Sequence, residues 1–250
     1  MRVFRRLMTS KVVVAILLGI LVPSQAVAKS PSVEVAGTTL NLPVGAGQCA
    51  LDENAYPLDA FIMNGFRKAY VGEGELLQVA YDCNGMESLR FGSSAFEAEH
   101  WGQIVFVYAG EPKQARRFPE LTRESYLNFI HQSVVEHATN GEKIVTDRDV
   151  QKMVKRLSEA MDISASVGEM HFLGVLEQDQ NAVYYAMMTC VTLNQTNRWV
   201  LYVTATSLVK GLPINIYQYA PFSGVNETPH LLERAKQQME ALIYENEAGI

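Results

Sequence analysis

The sequence is short of the residues on which most catalytic chemistry depends. Three cysteines and five histidines are spread through 250 residues. No Cys-x-x-Cys pair and no His-Glu-x-x-His run occurs, which excludes the common zinc patterns. No Gly-x-Ser-x-Gly elbow occurs, and Gly92-Ser93-Ser94 has the character of a plain loop, so a serine hydrolase of that type is excluded. Gly45-Ala46-Gly47 lacks the strand–turn–helix setting and the spacing of a phosphate loop. Past the N-terminus there is no basic cluster, no internal repeat and no low-complexity run. No later segment approaches the roughly 20 apolar residues of a membrane-spanning helix.

What is present begins with a leader. Residues 1–28 read as a secretory signal peptide: Arg2, Arg5, Arg6 and Lys11 give a positive start, 12–22 is an apolar run, and Ala26-Val27-Ala28 forms a small-x-small cleavage site. The run is too short to be a membrane anchor. No cysteine stands directly after the cleavage site, so no lipid anchor is expected. The style is bacterial and predicts a periplasmic or secreted protein. The whole chain carries 21 Lys+Arg against 27 Asp+Glu. Cleavage removes four basic residues and no acidic one, leaving 17 against 27 and a net charge of −10. Such acidity, with no basic cluster, argues against nucleic acid and anionic membranes as partners and favours solubility. The remaining residues 29–250 suffice for one domain with its own core.

Four strands in a row dominate the second half, predicted over 169–177, 182–193, 198–209 and 213–220. Polar turn clusters separate them, the signal for hairpins. In the third strand Trp199, Leu201, Val203 and Ala205 share one face, while Arg198, Val200, Tyr202, Thr204 and Thr206 share the other. Neither face of the central strands carries many charges, so helices or loops are expected over both. Earlier, 33–43 alternates as one strand, and further strands are expected over 76–82 and 104–109. Helical spacing marks a helix from Pro57, one capped by Thr122, one capped by Asp147, and a last one with Thr228 as cap and Pro229 at its first position. The last helix carries Leu232, Ala235, Met239, Leu242 and Ile243 on one face, which the preceding sheet should cover. The fold class is therefore α+β: an antiparallel meander with helices packed on its faces. Asn194-Gln195-Thr196 and Asn226-Glu227-Thr228 match a glycosylation pattern but read here as turn and cap chemistry.

Candidate sites are few. Export permits a disulfide, and Cys49 with Cys83 is the favoured pair, Cys190 being left as a buried thiol within a strand. Glu169 and His171 alternate onto one strand face, and Glu97, Glu99 and His100 cluster before Trp101. These are the only residues that suggest a metal site. The ladder is rich in aromatics, and Tyr184, Trp199 and Tyr202 form a possible recognition face, cross-strand packing being the other reading. No cofactor is expected.

The segment from Leu208-Val209-Lys210-Gly211-Leu212-Pro213 through Ile214-Asn215-Ile216-Tyr217-Gln218-Tyr219-Ala220-Pro221, leading straight into the last helix, resembles the end of a loose group of uncharacterised exported bacterial proteins. The element order is similar to that of the sandwich fold shared by PsbP, a photosystem accessory protein, and Mog1, a nuclear-transport factor. The resemblance implies an α/β/α sandwich and a non-enzymatic binding or assembly role, with a periplasmic protein or small ligand as partner. The alternatives are a metal-assisted hydrolase using Glu169 and His171, or a structural component of the cell envelope.

Overall fold

The computed structural model describes residues 30–90, 100–109, 113–139, 147–224 and 226–248. Residues 1–28, read above as a leader, and residues 91–99, which include Gly92, Glu97 and Glu99, lie outside them. Among the described residues the chain forms a seven-stranded antiparallel sheet, a two-stranded ribbon and five helices.

The expected meander is present. Strands β6 (Ala165–Gln178), β7 (Val183–Leu193), β8 (Thr196–Val209) and β9 (Leu212–Pro221) lie side by side in chain order. Their hairpins are tighter than the polar clusters suggest. Asn194 and Gln195 alone join β7 to β8, with φ of 47° and 69°. Lys210 and Gly211 alone join β8 to β9, with φ of 50° and 78°. Two consecutive positive-φ residues match the twist of the flanking strands, which explains a two-residue turn at each place. The sheet continues through β5 (Trp101–Val107), which pairs with β9, then β4 (Gly74–Asp82) and the short β3 (Gln48–Ala50).

Three expectations need correction. The single strand expected over 33–43 is a hairpin of β1 (Ser32–Val35) and β2 (Thr38–Asn41), because Ala36 (φ 45°) and Gly37 (φ 72°) turn the chain back on itself. The last helix, α5 (Glu227–Glu247), starts before Thr228, with Asn226 at its boundary, and no side chain caps it. Pro229 is tolerated inside the first turn because an N–H there has no partner within the helix. Cys190 is a free thiol but only half-buried.

Helices cover both faces. On one face α5 packs over β8 and β9, where Leu231, Ala235, Met239 and Leu242 meet Leu201, Val203, Ile214 and Ile216. The β1–β2 hairpin adds Val35 and Leu40 to that core. On the other face lie α1 (Pro57–Ala69), α3 (Arg123–Thr139) and α4 (Asp147–Met161). There Leu127 and Val134 of α3 meet Tyr185, Met187 and Tyr202, while Met63 of α1 joins Leu76, Tyr81 and Val105. Thr122 caps α3, its Oγ1 accepting the Ser125 N–H at 3.2 Å.

On this second face one register row crosses all seven strands: Cys49, Tyr81, Trp101, Tyr219, Tyr202, Met187 and Phe172. Trp101 and Tyr219 stack with ring centres 5.0 Å apart and planes within 6°. At the end of the row Cys49 is bonded to Cys83, the first residue of helix α2 (Cys83–Arg90). Aromatic pairs at cross-strand positions add to the stability of the sheet.

Candidate functional site

The tyrosines proposed for recognition are used elsewhere. Tyr184 is fully buried, and its hydroxyl donates to Asp179 Oδ2 at 3.3 Å. Tyr202 lies on the opposite face, 9% exposed, with its hydroxyl directed at Met187 Sδ at 3.3 Å. Burial holds both phenols well above their ordinary pKa. The two residues therefore share no surface with each other, and their aromatic area belongs to the core.

Trp199 differs. It stands on the α5 face near the start of β8 and is 44% exposed. Its neighbours follow from the strand register. Cys190 lies opposite it on β7. On its other side the Phe222 N–H donates to the Trp199 carbonyl at 2.8 Å, and the Phe222 side chain is 38% exposed. His171, on the edge strand β6, places its ring 5.8 Å from the indole, tilted by 43°. Cys190, Trp199 and Phe222 thus make a cross-strand row that α5 leaves uncovered, with His171 beside it. Alternation alone identified the face of Trp199. Phe222 escaped notice because it follows the last strand.

Glu169 and His171 are both exposed on β6, where the ladder shifts register between Val167 and Met170. Among the described residues no group of three or more His, Cys, Asp or Glu side chains is placed to hold a metal ion. His100 does not need its sequence neighbours to form a cluster. Its Nδ1 lies 3.2 Å from Asp82 Oδ2, at the end of β4, and its Nε2 3.6 Å from Glu227 Oε2, at the start of α5. Arg234 Nη1 donates to Asp82 Oδ1 at 3.1 Å. A hydrogen bond from Ser223, then the proximity of His100, hold the Glu227 carboxyl below its ordinary pKa. Both imidazole nitrogens face carboxylates. The arrangement is a polar clasp between α5 and the sheet.

No protein-family model and no curated protein matches the sequence.

Proposed function

We propose that the protein is an exported, periplasmic, non-catalytic module that binds or helps assemble a partner through the uncovered end of its sheet. The observation that carries this reading is the row of Cys190, Trp199 and Phe222 with His171 beside it. An exposed tryptophan in a row of apolar and aromatic side chains is costly to leave in water, and Trp is enriched where interfaces gain most of their energy. The Cys49–Cys83 disulfide is compatible with an oxidising compartment, and the leader-like start of the chain agrees with export. The three-layer order, helices on both faces of an antiparallel sheet, supports kinship with the PsbP/Mog1-like sandwich and with its binding or assembly role.

Affinity purification from a periplasmic extract of the source bacterium tests the reading. The wild type retains a partner, and Trp199→Ala loses it while keeping its circular dichroism and thermal midpoint. A wild-type chain that retains nothing, or a Trp199→Ala chain that retains the same partner equally well, overturns it.

A further inference from the structure

A separate, open depression lies on the opposite side of the sheet, beside α3. It is a hollow of about 400 Å³ lined by Asn128, His131, Gln132, Val135, Glu136 and Gln178. That volume falls within the range of small-molecule sites. Asn128, His131, Gln132 and Val135 follow a spacing of three and four, so α3 turns one continuous stripe toward the end of β6. The stripe is unusual for a helix flank over a sheet: five of the six lining residues are polar, and none is Lys or Arg.

The polar groups hold one another in place. His131 Nδ1 is hydrogen-bonded to Gln178 Oε1, and Gln178 Nε2 donates to Asn128 Oδ1 at 3.2 Å. Gln132 Nε2 donates to Glu136 Oε1 at 2.8 Å. An Nδ1 that donates to an amide oxygen leaves the neutral ring's Nε2 as an acceptor. The groups left over are therefore the Asn128 amide donors, one N–H each on Gln178 and Gln132, and the acceptors His131 Nε2, Gln132 Oε1 and Glu136 Oε2. One residue along, Phe129 is 65% exposed and lies one helical turn from Gln132.

We infer that this hollow binds a neutral polyhydroxylated ligand of the saccharide class. Hydroxyl groups both donate and accept, which matches a preorganised mixture of amide donors and several acceptors. A phosphate or other anion meets Glu136 and no cation. Val135 and the side-chain carbons of its neighbours give the hollow apolar surface as well, which suits the C–H faces of a sugar ring. The exposed Phe129 ring supplies a flat surface for the C–H face of a sugar. The inference does not depend on the Trp199 surface.

Titration of ¹⁵N-labelled protein with neutral hexoses, N-acetylhexosamines and their disaccharides tests it, with inorganic phosphate as a control. Amide shifts are expected along 128–136 and at Gln178 with at least one of the saccharides, and none there with phosphate. Glu136→Ala and Phe129→Ala, both at exposed positions, each weaken binding by about tenfold, the loss of one good contact. Trp199→Ala leaves it unchanged. No shift with any saccharide, a response to phosphate alone, or shifts that map around Trp199 instead overturn the inference.

Discussion

Gly102 on β5 stands opposite Gln218 on β9, and the Gln218 amide fills the space that a Cβ at position 102 would occupy, 2.8 Å from Nε2. Gln218 uses that room to join three parts of the fold. Its Oε1 accepts from Gln48 Nε2 at 3.2 Å, its Nε2 donates to Gln238 Oε1 of α5 at 2.6 Å, and Gln238 Nε2 donates to the Pro43 carbonyl at 3.0 Å. A methyl group at 102 would displace this buried network. Gly102→Ala is expected to destabilise the protein by about 1–3 kcal/mol, from overpacking and from buried amides left unpaired. Urea denaturation checks it: the midpoint falls while the slope holds.

Cys49 and Cys83 are 34 residues apart in sequence and close a loop that includes α1 and the whole of β4. In the chain-entropy account, cross-linking a loop of this size stabilises by roughly 3–4 kcal/mol. Reduction, or the pair Cys49→Ser and Cys83→Ser, is expected to lower stability by that amount. Cys190→Ser, which touches no disulfide, leaves the response to reductant unchanged. A reduced protein as stable as the oxidised one would remove the disulfide from the account of stability.

Asp59 of α1 has no exposed surface, and Arg90 at the end of α2 meets it with two nitrogens, Nε donating to Oδ1 at 3.1 Å and Nη2 pairing with Oδ2. The Asp52 N–H also donates to Asp59 Oδ2, at 2.8 Å. The Arg90 guanidinium lies 3.9 Å above the Tyr56 ring. So α2 is held at one end by the disulfide and at the other by this pair. Arg90→Ala leaves a buried carboxylate without its cation, and about 3–5 kcal/mol of stability is expected to be lost. The double variant Asp59→Leu/Arg90→Leu recovers much of that loss, because no charge is left stranded. Thermal midpoints of the two variants, compared with the wild type, decide the matter.

How far each element could be read in advance depended on what its residues had to satisfy locally. The four long strands announced themselves because β-branched and aromatic runs, with polar turns between them, leave the backbone little choice. The start of β1–β2 misled because Ala36 takes a positive φ that composition does not advertise. β3 and α2 were missed because neither shows a period of its own: β3 is three residues long, and α2 is fixed by a disulfide and an ion pair. The face of Trp199 followed from alternation, but its exposure did not, since alternation does not say which part of a face a helix covers. The partners of His100 were out of reach of any motif, since the fold brings Asp82 and Glu227 to it from distant positions. Tyr184 and Tyr202 were aromatic in the expected places, yet their roles were set by the helices that cover them.

The tyrosines beneath α1 and α3 govern the behaviour of the protein in alkali. Tyr70, Tyr185, Tyr202, Tyr217 and Tyr219 are clustered there, with the Tyr70 hydroxyl donating to Gln103 Oε1 at 2.7 Å and Asn215 Nδ2 donating to the Tyr217 hydroxyl at 2.9 Å. Burial raises all five phenols above their ordinary pKa. In the unfolded chain they ionise at about pH 10. Above that pH the unfolded state gives up protons that the folded state keeps, so stability falls as pH rises. Below it these groups contribute no slope. Each phenol removes about 1.4 kcal/mol per pH unit once the unfolded form has ionised. Tyrosinate absorbance is therefore expected to rise in two stages, the second coinciding with the loss of the circular dichroism signal. A single smooth titration of all 11 tyrosines near pH 10, with the fold intact, would mean that this layer is open to water.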